Sequence, residues 1–556
     1  MTIQAPPAAR AGLAVTGRAG PELAGTGALT KLAFRRDRIM LPAWVYLITV
    51  MVATNAYTFR KLYSTVAARD RLVVSGGGNP ALRFLYGQLN GSSVGALTAW
   101  RIGVWAALFC ALMTVFIVIR HTRGDEEAGR LELVGSAVVG RQAALTAGLL
   151  TAVTASVAVA ALLFVVLSAL GLPVSSSLVF ALAIGANGLA FTGIAAVAAQ
   201  LAAGARGARG IAFGVLGAAF MLRAIGDSAG PSGPSWLTWT SPLGWVELTR
   251  PFGGTFDGQR WWVLALPCAV LAAGVGAAYA LAARRDLGAG LLPDRPGRAG
   301  ASGLLRGPLS LAFRLQRGVL AGWAAGVAFI FAASGAAAKG IGQLLGSSTA
   351  LQREFTRLGG QTAITNAYLA ALMVLAGLGA AGYATSAVLR LRAEETDGPA
   401  EPLLATAVGR IRWGLSHVAV AVFGAAVLLA VAGLAAGLGY GLRAGSAGPQ
   451  AARMIGAAMA QLPASLVIAG VAVALVGLLP GACVAGAWTV LGVVVFIDLF
   501  GEALQLSHWL LDISPFTHAP RLPGGTVSAA PLLWLCLAAL AFSAVGLAAL
   551  RRRDIC

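Results

Sequence analysis

Apolar stretches of about twenty residues recur from one end of this 556-residue chain to the other, and a water-soluble fold does not accommodate so many. In hydrocarbon each backbone N–H and C=O must be satisfied within the protein, so a run of ~20 apolar residues becomes a helix that crosses the bilayer. The runs fall at 39–58, 102–119, 143–170, 176–203, 210–226 and 260–283. A second set falls at 319–338, 367–389, 413–440, 455–479, 482–500 and 528–550. Composition agrees: 58 % of residues are hydrophobic and 11 % charged, against roughly 25 % charged in soluble domains. The expected fold is all-α, a polytopic membrane protein of about twelve transmembrane helices.

The two sets of six also resemble each other. Leu32-Ala33-Phe34-Arg35, with Arg38, Leu41 and Trp44, recurs as Leu311-Ala312-Phe313-Arg314, with Arg317, Leu320 and Trp323. Arg123 to Arg141 (RGDEEAGRLELVGSAVVGR) recurs as Arg392 to Arg410 (RAEETDGPAEPLLATAVGR). Trp236-Leu237 followed by Ser241-Pro242 recurs as Trp509-Leu510 followed by Ser514-Pro515, and Arg284-Arg285-Asp286 recurs as Arg552-Arg553-Asp554. Four landmarks in one order, at offsets of 268 to 279 residues, indicate duplication. An even number of spans per half makes the repeats parallel, related by an axis along the membrane normal. The expected domains are a disordered cytoplasmic leader at 1–28, a first six-helix half at 29–286, a cytoplasmic linker at 287–308 and a second six-helix half at 309–556.

The net charge of +20 is scattered between the spans rather than gathered in one patch, which argues for positive-inside topology and anionic lipid and against nucleic acid. With both termini cytoplasmic, the loops at 120–141, 204–209, 284–318 and 390–412 are inside and rich in arginine. The 59–101 loop, placed outside, fits less well, since it carries Arg60, Lys61, Arg69, Arg71 and Arg83.

The most polar patch of each half is the loop after its second span. The first holds Asp125, Glu126, Glu127, Arg130 and Glu132; the second holds Glu394, Glu395 and Glu401. A short helix from Asp125 to Val134 would start with acids suited to its dipole, and two matching copies suggest docking onto a soluble partner with two equivalent surfaces. The segments Leu29–Arg38 and Leu305–Arg317 mix apolar and basic residues, as a surface-lying amphipathic helix or a cytoplasmic extension of the span would.

Charges near the outer ends of spans are few. Arg223 and Asp227 lie four apart in the fifth span, and Asp498 and Glu502 hold the matching places in the eleventh. Each must pair or reach water. Two arrangements are open: Arg223 meets Asp498 or Glu502 across the pseudo-twofold, or it pairs with Asp227 on its own helix. The Pro- and Trp-rich stretches that follow (Trp236, Ser241, Pro242; Trp509, Ser514, Pro515) suit short interfacial or re-entrant helices, either an outer gate or plain anchors.

The only lysines are Lys31, Lys61 and Lys339, none in a GxxxxGK[ST] context, so no ATP hydrolysis by a P-loop is expected here. Histidine and cysteine spacings suggest no metal site, and no Ser/His/Asp or paired-carboxylate set falls on facing spans. A non-enzymatic transporter subunit without a cofactor of its own is the expectation.

The RGDEEAGRLELV loop, the SPLGWVELTRPFGG stretch and the RRDLGAG after the sixth span resemble ABC-2 type exporter permeases. The closer likeness is to the actinobacterial polyketide antibiotic (tetronasin-type) exporter subunits, which carry both halves in one chain. The resemblance runs from about Leu29 to Asp554. It implies two copies of a separate ATPase, with ATP and Mg bound there, docking on coupling helices around Asp125–Val134 and Glu394–Leu403. It implies elbow helices before spans one and seven, and a path between the halves lined by spans 1, 2 and 5 and their counterparts. It also implies export of hydrophobic or amphipathic small molecules, as in antibiotic efflux, across the cell membrane. Pro399 and Pro402 depart from the first copy and put equal engagement of the loops in doubt. A proton-coupled secondary multidrug transporter is the main alternative. The polar loops after spans 2 and 8, and the scarcity of intramembrane carboxylates, count against it.

Overall fold

The structure is a computed structural model that describes residues 22–553, apart from 78–79, 136–137, 230–234, 254–257, 287, 293–299, 301–302, 304, 306, 347–359, 397, 399, 502–505 and 527. It is helical throughout, with no strand among the described residues. Among the described residues eleven helices are long and apolar enough to cross a membrane, and one shorter apolar helix, Cys483–Leu499, occupies the place of the eleventh expected span. The chain divides into two compact units, Met1–Pro296 and Gly297–Cys556.

In the first unit the spans are Met40–Leu62, Val94–Glu127, Ala143–Ala169, Val174–Leu201, Ala205–Ser228 and Trp261–Ala283. The fourth lies at the centre and packs against the second, third and sixth. Its small residues allow that approach. A side chain at Gly193 would reach the Val270 carbonyl at 2.9 Å, and one at Gly274 would lie 2.7 Å from the Gly193 backbone. Lipid supplies no hydrophobic drive between helices, so close backbone packing of this kind holds them together.

In the second unit the spans are Pro308–Ala338, Thr365–Thr396, Arg410–Ala444, Ala447–Leu478, the shorter Cys483–Leu499, and Ala529–Arg552. The helix Thr365–Thr396 is the most enclosed of them. The tenth and twelfth spans meet at Gly477 and Gly546, where either Cβ would strike the other helix's backbone. The tenth is broken at Gln461, one residue before Leu462-Pro463 opens its second segment.

Several boundaries differ from the expected ones for identifiable reasons. The second span starts at Val94, eight residues before 102, because the Ser93 hydroxyl caps it by accepting the Ala96 N–H at 3.0 Å. Arg101 then lies inside the helix, and its guanidinium sits 4.9 Å from the Tyr86 ring centroid. The 59–101 segment carries helices Val66–Gly77 and Pro80–Tyr86. The two segments before spans one and seven take different forms. Thr26–Arg36 is a separate helix that ends at Asp37, whereas Pro308–Gly346 runs unbroken into the seventh span for 39 residues.

Candidate functional site

The loop after the second span does not hang free. The helix continues through a π turn at Arg120–Gly124 into Asp125–Glu127, and after a positive-φ break at Gly129 resumes at Arg130–Gly135. Glu126 is held from both sides. Arg285, just past the sixth span, approaches it with two guanidinium nitrogens at 2.8 and 3.0 Å, and Arg123 adds a third contact at 3.1 Å. The Gly288 N–H also donates to Glu126, at 2.6 Å. Arg285 Nε meanwhile reaches Gln200 Oε1 at 2.7 Å, and Arg123 donates to the Ala199 carbonyl, so the end of the fourth span joins the same knot. The Glu126 side chain is 6 % exposed and that of Arg285 12 %. A buried carboxylate is tolerable only with such charged partners around it.

The second unit repeats this arrangement. Arg392 meets Glu395 at 3.0 Å, and Arg553, past the twelfth span, donates to the other oxygen of Glu395. Arg553 also reaches the Val476 carbonyl at 3.1 Å, at the end of the tenth span. The closing arginines match as well: Arg141 donates to the Arg285 carbonyl at 2.9 Å and Arg410 to the Arg553 carbonyl at 2.6 Å.

The acid one residue earlier is handled differently in the two units. Asp125 accepts from Arg36, on the separate first helix, at 2.7 and 2.9 Å and from Arg130 at 2.9 Å. Behind it His121 Nε2 lies 2.6 Å from Asp37 Oδ2. By the offsets of 269 and 279 residues, the places of Arg36, Asp37 and Arg130 belong in the second unit to Leu315, Gln316 and Pro399. Glu394 finds other partners there. His417 Nε2 lies at 3.2 Å, the Trp413 indole N–H donates at 3.2 Å, and Gln316 faces His417 Nδ1 at 3.3 Å. Gly148, at the place matching His417, leaves room instead for the His121 and Thr122 side chains.

Of the loop acids, Asp125, Glu394 and Glu395 are thus buried in internal networks, as is most of Glu126. Glu127 is exposed, with one oxygen accepting the Ala205 N–H at 3.2 Å where the fifth span begins. Exposed residues of the loops include Arg130, Glu132 and Leu133 in the first unit and Glu401 and Pro402 in the second.

At the opposite end of the first unit a second polar group is buried. Arg223 pairs with Asp227 on its own helix at 3.3 Å, approaches Glu247 at 3.8 Å and donates to the Phe84 carbonyl at 2.8 Å. Thr238 donates to Asp227 at 2.8 Å, and Glu247 accepts the Gln88 N–H at 2.9 Å. Burial, reinforced by the neighbouring Asp227, pushes the Glu247 carboxyl well above the ordinary glutamate range, although Arg223 opposes this. Asp498 in the second unit accepts the buried Ser514 hydroxyl at 2.7 Å, and Glu502 lies outside the described residues.

Both Ser-Pro steps open short helical turns, Pro242–Leu248 and Pro515–His518. Ser241 is buried against the Ala219 carbonyl at 2.7 Å, while Trp236 and Trp509 stay exposed. Sequence reasoning singled out Arg285 and Arg553 as landmarks but did not join them to the loops. It passed over Asp37, His417 and Glu247. The available signal was that a charge recurring at one boundary of both halves calls for a recurring partner.

This arrangement defines a multi-pass membrane protein whose buried charges tie the ends of spans to a polar loop. The profile of the C-terminal domain of the multidrug efflux system permease Rv1217c matches residues 305–551. Over 537 residues the chain is 42 % identical to the multidrug efflux system permease protein Rv1217c of Mycobacterium tuberculosis (strain ATCC 25618 / H37Rv), a match that covers 96 % of each chain. The chain belongs to the family of this permease.

Proposed function

We propose that the chain is the permease of an ATP-driven multidrug exporter in the cell membrane, energised by two copies of a separate ATPase that dock beneath the two polar loops on the cytoplasmic side. One observation carries this reading: Glu126 and Glu395 are clamped in the same way, each to the end of its unit's last span. A loop merely solvated by water has no need of such a clamp. A loop that receives a push must pass it to the spans, and buried guanidinium–carboxylate pairs make a stiff joint. The exposed residues Glu132, Leu133 and Glu401 would then face the ATPases, and both termini would be cytoplasmic. The duplicated layout supports a two-fold partner, and the name of the relative supports drugs as cargo; a path through apolar helices suits hydrophobic or amphipathic ones.

The test is to co-express the chain with a P-loop ATPase encoded beside it and purify what co-elutes. Glu132→Arg and Glu401→Arg should weaken co-elution and lower ATP turnover while the melting temperature of the permease stays unchanged. No co-eluting ATPase, with transport in vesicles that follows the proton gradient, would sink the proposal.

A further inference from the structure

The second unit holds a cavity of about 680 Å³, inside the ~300–1,000 Å³ range of drug-sized sites. One wall is a face of the helix Thr365–Thr396, where Ala370, Val374 and Leu378 follow at a spacing of four. Phe516, in the same hydrophobic cluster as Val374 and Leu378, also lines it, and the polar part of the lining includes Asp498 and Arg521. Asp498 is half-buried, held by the Ser514 hydroxyl at 2.7 Å, and the exposed Arg521 is close enough to act on its charge, so the two form a dipolar pair on the lining.

The first unit shows why the space exists. The offset of 269 residues that carries Arg123 to Arg392 carries Arg101, Trp105 and Phe109 to Ala370, Val374 and Leu378. In the first unit these three side chains are large and occupied. Arg101 rests on Tyr86, Trp105 packs on Phe220 at 5.8 Å and Phe109 on Trp44 at 6.4 Å. The second copy has replaced an arginine and an aromatic pair by smaller aliphatic residues, and the volume removed lies open.

We infer that this cavity binds the cargo, and that its chemistry selects amphipathic zwitterions: an apolar ring body with a basic nitrogen and an anionic group. The aliphatic wall takes the ring body. The lining carries one carboxylate and one guanidinium, so a ligand that brings both opposite charges meets each with its complement. A simple cation or anion meets one of them with its complement and the other with its own sign. The inference rests on the efflux reading for the kind of cargo but not on the ATPase, because binding alone is measured.

The full chain in lipid nanodiscs is titrated against ciprofloxacin, a fluorescent zwitterion at neutral pH, and against rhodamine 6G, an amphipathic cation. Saturable ciprofloxacin binding is expected, tighter than that of rhodamine 6G and weakened about ten-fold by either Asp498→Asn or Arg521→Gln. Ala370→Trp, which restores bulk where the first unit has it, should abolish binding. Should Ala370→Trp fail to fold, Ala370→Cys gives a second readout, since ciprofloxacin should slow the labelling of the introduced thiol by a maleimide. Binding unchanged by every variant, or a labelling rate of the Ala370→Cys variant indifferent to ciprofloxacin, overturns the site. Preferential binding of rhodamine 6G with dependence on Asp498 alone overturns the zwitterion chemistry. Loss of ATPase docking with binding intact would strike only at the energising partner.

Discussion

Arg285 and Glu126 stand 159 residues apart in the chain and meet through two parallel hydrogen bonds of 2.8 and 3.0 Å. The contact joins the end of the sixth span to the loop after the second, and Arg553 with Glu395 does the same in the other unit.

Removal of the carboxylate should therefore leave buried and half-buried arginines without their hydrogen-bonded acid. Breaking a buried pair from one side costs about 3–5 kcal/mol. Glu126→Ala and Glu395→Ala should each lower the melting temperature in detergent by several degrees, where Glu132→Ala does not. Equal melting temperatures for all three would show that the clamps carry no stability.

The first helix gives an asymmetric prediction. Thr26–Arg36 is tied to the loop through Arg36 and Asp125, and the place of Arg36 in the second unit is taken by Leu315. Arg36 is partly solvated, so Arg36→Ala should cost only about 1 kcal/mol. Amide exchange over 26–36 should nonetheless rise several-fold. Leu315→Ala should leave exchange over 308–320 unchanged, since that segment continues the seventh span.

Glu247 should make stability fall as pH rises. Its carboxyl holds the proton more tightly in the folded protein than in the unfolded chain, because of burial and the nearby Asp227. Below the ordinary glutamate value of about 4.3 both states are protonated and nothing is lost. Above it the unfolded chain ionises first, and the penalty grows until the folded carboxyl ionises too. Unfolding measured across that window should show the slope, and Glu247→Gln should flatten it. A slope of the same size in the variant would assign it to other groups.

Much of the fold was readable from hydropathy, because a lipid-spanning helix must announce itself as an apolar run. All six expected spans of the first half have helices, though the second begins at Val94, since Ser93 and Arg101 are polar residues that hydropathy excludes. The loop acids were readable as a repeated pattern. Their partners were not: nothing local to Glu126 points to Arg285, and a pattern of acids suited to docking does not reveal that Asp125 and Glu395 are buried. Glu247 was hidden in a Trp- and Pro-rich stretch whose aromatic and Ser-Pro landmarks suggested an outer gate or an interfacial anchor and drew attention away from this carboxylate. The cavity beside Ala370 left a fainter sign, the exchange of Arg101 and Trp105 for Ala370 and Val374.

The two clamps have a consequence for how such a protein can be divided. Every ion pair described above begins and ends on one side of Pro296: Glu126 with Arg123 and Arg285 before it, Glu395 with Arg392 and Arg553 after it. A break in the backbone at that boundary leaves each network whole on its own piece. The architecture is modular in the strict sense that a gene fission there severs one peptide bond and none of these charge pairs, so two half-length polypeptides can each carry a complete joint.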